Sequence, residues 1–83
     1  MDVLKYPVAT EKAIRAIESE NTITFIVDRR ASKQAIKKEF ELKFKTKPLE
    51  IRTLITTDGL KKACIRLGKE TPAIDIATQL GMM

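Results

Sequence analysis

The spacing of apolar residues changes period several times along this chain, and each change predicts an element. An extended lead carrying Val3, Tyr6 and Val8 is followed by Ala13, Ile14 and Ile17 at helical spacing. This predicts a helix over residues 11–19, with Thr10 as N-cap and Glu11 at the positive end of its dipole. The polar run Glu18-Ser19-Glu20-Asn21 closes it. Period two then takes over. From Thr22 to Asp28, Ile23, Phe25 and Val27 point one way and Thr22, Thr24 and Ile26 the other, as in a strand. Ser32 is placed to cap a second helix, Lys33 to about Phe44. Its stripe is Ile36, Phe40 and Phe44, with Ala35 beside it and Lys33, Lys37 and Lys38 off it.

Pro48 lacks a donor and pushes Lys47 toward extended geometry, so the helix ends and a strand begins. Leu49, Ile51, Thr53 and Ile55 alternate with Glu50, Arg52, Leu54 and Thr56. From Leu60 to Leu67, Ala63, Ile65 and Leu67 alternate with Lys62, Cys64 and Arg66. Asp58-Gly59 between these runs predicts a hairpin with a type I′ turn. A last helix is predicted with Thr71 as cap, Pro72 at its first position and Gly81 as left-handed terminator. Ala73, Ile74, Ala77 and Leu80 are its expected buried face. The fold class is α+β: helices packed on an antiparallel sheet, in the order strand-helix-strand-helix-strand-strand-helix. This is a ferredoxin-like or split sandwich, one domain over residues 1–83.

Composition narrows the chemistry. An 83-residue chain buries only about 60–65% of its unfolded surface, so a thin core is expected and a deep catalytic cleft is not. There is no histidine and one cysteine, Cys64, which removes internal disulfides, zinc clusters and imidazole-activated nucleophiles. Glu18 and Glu20, like Glu39 and Glu41, are two apart and do not share a helix face. Gly59, Gly68 and Gly81 are isolated, so no phosphate-cradling loop exists. Neither catalysis nor a metal or cofactor is expected. No apolar run is long enough to span a bilayer and no signal peptide is visible, so a soluble intracellular protein without membrane contact is expected.

Charge carries the positive signal. Sixteen Lys and Arg face eleven Asp and Glu, net +5. Residues 29–52 hold nine basic groups against three acidic ones, whereas residues 1–28 hold three against five. A basic centre in so small a domain points to a polyanion, most naturally nucleic acid, with a solvated helix face as the bland alternative. Arg29 and Arg30 precede a helix that presents Lys33 and Lys37 one turn apart, a basic ridge. Arg52, Lys62 and Arg66 alternate onto one sheet face, opposite Ile51, Thr53, Ala63 and Ile65. Folded RNA is held largely through phosphates and 2′-hydroxyls, for which such groups suffice. The three phenylalanines fall on predicted core faces, which disfavours a single-strand reader with exposed aromatics. Lys43, Lys45 and Lys47 crowd a helix end, where positive charge suits the dipole in any protein. Cys64 reads as a small, half-buried strand residue. The acidic N-terminal third suggests a side facing away from RNA.

Several strings, in order, resemble the universal large-subunit ribosomal protein L twenty-three family over about residues 4–81. They are Pro7-Val8-Ala9-Thr10-Glu11-Lys12-Ala13, Asn21-Thr22-Ile23-Thr24-Phe25, Ala31-Ser32-Lys33 with Ile36-Lys37 and Phe44, and Lys61-Lys62-Ala63 through Arg66-Leu67. The short Thr57-Asp58-Gly59-Leu60 turn, Val27-Asp28-Arg29-Arg30 and the Asp75-Ile76-Ala77 to Leu80-Gly81 ending are similar to its archaeal branch. Many bacterial members carry a long basic extension at that hairpin, reaching toward the exit tunnel, which this chain lacks. Arg52 stands where relatives often have Asn, and Cys64 where an aromatic or valine is commoner.

The resemblance implies a cytoplasmic constituent of the large ribosomal subunit. It would bind large-subunit rRNA beside the polypeptide exit, among neighbouring ribosomal proteins, and offer a docking site to the signal recognition particle or other exit-site factors. Expected RNA contacts are Lys5, Lys12, Arg29, Arg30, Lys33 and Lys37, with Arg52, Thr53, Lys61, Lys62 and Arg66 on the hairpin. Glu11, in the Thr-Glu-Lys motif, is the expected docking residue, with a first-turn helix acid as its plain structural role. A small ferredoxin-like regulatory or interaction module, binding a metabolite or a protein, is the competing expectation.

Overall fold

The structure, a computed structural model, describes residues 3–81. Its elements follow in the order β1 (Leu4–Pro7), α1 (Glu11–Ser19), β2 (Thr22–Val27), α2 (Lys33–Phe44), β3 (Pro48–Ile55), β4 (Lys61–Leu67) and α3 (Ala73–Gln79). The strands form one sheet in the order β1-β2-β4-β3, with every neighbouring pair antiparallel. β4 therefore lies between β2 and β3, and β3 is left as an outer edge. This is the expected α+β class. No helix among the described residues is long and apolar enough to cross a membrane.

One face of the sheet is sealed by helices. Ile23, Phe25 and Val27 of β2 and Ala63, Ile65 and Leu67 of β4 meet Ile17 of α1, Ile36 and Phe40 of α2, and Ala73, Ile76 and Ala77 of α3. Phe25, Phe40 and Phe44 form the centre, with ring centroids 4.9–6.3 Å apart, distances at which aromatic edges meet faces favourably. Thr10 and Ser32 cap α1 and α2 as expected, their hydroxyls accepting from Ala13 N at 3.2 Å and Ala35 N at 3.1 Å.

Local readings fail at two places and miss a feature at a third. The hairpin turn is not type I′: Gly59 has φ 82°, but Asp58 is not among the positive-φ residues. Gly59 N donates to Thr56 O at 3.0 Å and Thr56 N to Leu60 O at 2.8 Å. A turn centred on Thr57-Asp58 is thus followed by a left-handed glycine, and that extra loop residue relieves Asp58 of any need for positive φ. In α3, Thr71 is not the cap and Pro72 is not the first helical residue. Pro72 takes the N-cap position without a side-chain hydrogen bond, and Ala73 N donates instead to Asn21 Oδ1 at 2.6 Å. The buried stripe is Ala73, Ile76 and Ala77, while Ile74 faces out. Gly81 does adopt the left-handed conformation, φ 76°, just past the helix. In β1, a bulge between Leu4 and Tyr6 places Leu4 opposite Val27 but Tyr6 opposite Ile26, which flips the strand's parity and turns Tyr6 to the uncovered face.

Asn21 ties the α1–β2 corner to the β4–α3 corner. It sits in the left-handed region, φ 51°, which Asn tolerates better than most residues. Its Nδ2 reaches Leu67 O (3.0 Å), Gly68 O (2.9 Å) and Thr71 O (3.2 Å). Two amide hydrogens serve three carbonyls, so one hydrogen is shared.

Candidate nucleic-acid interface

The face of the sheet not covered by α2 and α3 is built by strand alternation. Register sets three rows across it: Tyr6, Ile26, Lys62 and Leu54; then Thr24, Cys64 and Arg52; then Thr22, Arg66 and Glu50. Expected neighbours Arg52, Lys62 and Arg66 therefore do share one face. α1 borders it. Ile17 of that helix joins the core, while Ala16 and Glu20 line hollows on the open side.

Two shallow hollows mark this face, and a third lies at its β3 edge. One of about 210 Å³ holds Arg52 and Arg66 with Glu50, Glu20 and Cys64. A second, about 250 Å³, runs between α1 and the sheet, with Lys12 and Lys62 on its lining. The third, about 180 Å³, lies between α2 and β3, where Lys33 and Lys37 meet Leu49, Glu50 and Ile51. Glu50, on the outer strand, belongs to both the first and the third. The α2 ridge and the hairpin face thus meet along β3 rather than lying on unrelated sides.

Arg29 lies beside the hairpin tip, its Nη1 4.0 Å from where a side chain on Gly59 would begin. Arg30 is exposed, and its backbone N donates to Asp28 Oδ1 at 2.8 Å, which fixes the loop. Lys5 is exposed at the β1 bulge, on the far edge of the sheet from β3. Two expected contacts point elsewhere. Thr53 pairs with Ala63, on the helix-covered side, because it is out of phase with Arg52. Lys61 is in phase with Val27 and Ile55, and its Nζ donates to Ala31 O at 2.6 Å, bracing the entry to α2.

Ion pairing leaves most of these cations open. Among the described residues only Arg15–Glu11 (3.2 Å) and Arg52–Glu50 (3.1 Å) pair, and both pairs are largely exposed, where water makes such contacts weak. Lys12, Lys33, Lys37, Lys62 and Arg66 have no carboxylate within 4.0 Å among the described residues. Of the acidic N-terminal third, Glu20 does not face away, since it reaches the same hollow as Arg52 and Arg66. Glu11 stands exposed in the first turn of α1, its carboxylate bonded among the described residues only to Arg15. Sequence reasoning missed Tyr6, which is 50% exposed on the open face, because the bulge is invisible to simple alternation.

The match to known proteins fits this surface. The model of the family described as Ribosomal protein L23 matches residues 2–76, nearly the whole chain. The chain belongs to that family. The large ribosomal subunit protein uL23 of Trypanosoma brucei brucei is 46% identical over 81 residues, covering 98% of this chain and 49% of that protein. The corresponding protein of Caldivirga maquilingensis is 49% identical over 76 residues, covering 92% of this chain and 88% of its own length. The chain thus spans about half the length of the first relative and most of the second. Ribosomal protein L23 is a structural, non-enzymatic family, and every candidate contact from Lys5 to Arg66 falls inside the matched stretch.

Proposed function

We propose that this chain is a cytoplasmic structural constituent of the large ribosomal subunit that binds large-subunit rRNA beside the polypeptide exit, next to other ribosomal proteins. The observation that carries this reading is the set of carboxylate-free cations around the outer strand: Lys12, Lys62 and Arg66 on the open face, Lys33 and Lys37 across β3. Arg52 joins them, since its surface pair with Glu50 yields readily to a phosphate. Arg29 and Arg30 extend the surface around the hairpin end, and Lys5 is an outlying contact. Lys61 and Thr53 support the fold rather than the RNA.

The mechanism is electrostatic positioning. A rigid sheet holds guanidinium and ammonium groups at fixed spacing, and folded RNA presents phosphates that displace their counterions on binding. Measuring affinity for large-subunit rRNA fragments across salt concentration tests this. Four to six phosphate contacts give a log–log slope of about −3 to −5. A flat salt response with tight binding of a small molecule instead would favour a regulatory module.

Glu11 is the proposed docking point for the signal recognition particle or another exit-site factor, through its exposed carboxylate at the start of α1. Glu11→Ala should reduce factor recruitment to assembled ribosomes. Unchanged recruitment removes the assignment.

A further inference from the structure

The hollow between α1 and the open face is larger than its neighbours, and its shape follows from the residues beneath it. Ala13 and Ala16 of α1 and Thr24 and Cys64 of the sheet are all short, so the helix and the strands leave about 250 Å³ between them, walled by Val8 and Leu54. That is below the roughly 300–1,000 Å³ of sites for drug-sized ligands, and suits a single flat ring system.

The hollow is also polar in one direction. Lys12, Ala16 and Glu20 follow one another at four-residue intervals, so Lys12 and Glu20 stand about 12 Å apart along the helix with Ala16 between them. Lys62 lies one sheet row from Cys64, beside Leu54. One end of the groove therefore carries ammonium groups, the middle is apolar and shallow-floored, and the other end carries the Glu20 carboxylate, which opens onto the hollow of Arg52 and Arg66.

We propose that this groove takes one extruded, unpaired nucleotide of the bound RNA: its base lies between Val8, Leu54 and the Ala16 floor, its phosphate at Lys12 and Lys62. RNA-binding proteins commonly read such splayed bases by stacking and edge hydrogen bonds, and apolar side chains can supply the sandwich. Glu20 at the far end accepts from exocyclic amino groups, which adenine, cytosine and guanine have and uracil lacks. Uracil offers a carboxylate only its ring N3–H, whereas guanine sets N1–H and its N2 amino group side by side, so guanine is preferred over uracil. This inference rests on the RNA-binding reading above, and adds to the phosphate contacts a pocket that distinguishes one nucleotide from its neighbours.

Filling the groove without touching its charges is the test. Ala16→Leu keeps a strong helix former on α1, so helicity by circular dichroism should be retained. With a large-subunit rRNA fragment that the wild-type chain binds, Ala16→Leu should weaken affinity at least tenfold while leaving the salt slope unchanged. If Ala16→Leu disturbs folding, Leu54→Ser removes a wall from an already exposed position and should weaken binding several-fold. Titrating the free chain with GMP and UMP while following the Thr24 and Leu54 methyl resonances should show larger shifts with GMP. Wild-type affinity in a folded Ala16→Leu chain overturns the pocket, as it would if a protein side chain were the true occupant. Equal GMP and UMP shifts overturn the role of Glu20. If the wild-type chain itself fails to bind rRNA, the underlying reading falls first.

Discussion

The two faces of the sheet share strands, backbone and hydrogen bonds, yet they do different work. On the helix-covered side, Ile23, Phe25, Ala63 and Ile65 are all but removed from water. On the other, Thr24 and Ile26 of β2 are also buried, but Cys64 is half-buried and Arg66 of β4 and Arg52 of β3 are exposed, with a hollow between them. The difference teaches that a period-two chain can separate stability from binding at single-residue resolution. Core-face substitutions should move stability and leave the affinity of folded molecules alone, and substitutions of the exposed open-face residues should do the reverse.

The largest expected effect is on the covered face. Phe40 is fully buried against Phe25 and Phe44, so Phe40→Ala should cost about 3–5 kcal/mol in urea unfolding, enough to leave so small a domain largely unfolded. A cost below about 1 kcal/mol would mean the aromatic centre is not the core. Next comes the corner clamp. Asn21→Ala deprives Leu67 O, Gly68 O, Thr71 O and Ala73 N of their partner and places a Cβ-bearing residue with no local hydrogen bond at positive φ. About 2–4 kcal/mol should be lost. Asn21→Gly, which keeps the backbone freedom, should recover part of that loss and so separate the two contributions.

Effects on the open face should appear in binding. Arg52→Gln with Arg66→Gln should leave unfolding free energy within about 0.5 kcal/mol, since both side chains are exposed. The salt slope of rRNA binding should become shallower by about 1.5–2. A stability loss without a change in slope would reverse the roles assigned to the two faces. The smallest test compares two threonines. Thr10→Ala should cost about 1 kcal/mol through its lost cap bond, whereas Thr71→Ala should cost less than about 0.5 kcal/mol, because Asn21 and not Thr71 caps α3.

These contrasts also explain what could be read from the chain. α2 is predicted at its observed bounds because the Ser32 cap and an uninterrupted stripe from Ile36 to Phe44 are local signals, Pro48 barring any long continuation; the stop itself is Lys45 in the left-handed conformation. Arg52, Lys62 and Arg66 are placed correctly because alternation alone fixes their face. The failures involve partners distant in sequence. The cap of α3 comes from Asn21, 52 residues before Ala73, and no local pattern announces it. α3 offers isoleucines at both 74 and 76, and only packing against the rest of the core selects Ile76. Tyr6 depends on a bulge, and although alternation alone sets Lys61 opposite Lys62, its bond to a carbonyl 30 residues away is not readable locally. That β4 inserts between β2 and β3, and so brings the α2 ridge and the hairpin face together along β3, is likewise a property of the whole fold.

The most direct test of the central claim is to map the backbone amide resonances of the chain as a large-subunit rRNA fragment is added. The account predicts the largest shifts at Thr22, Arg52, Cys64 and Arg66, with Lys33 and Lys37 across β3, and little change at Phe40, Ile76 and Ala77. Shifts concentrated on α3, with Arg52 and Arg66 unmoved, would contradict it.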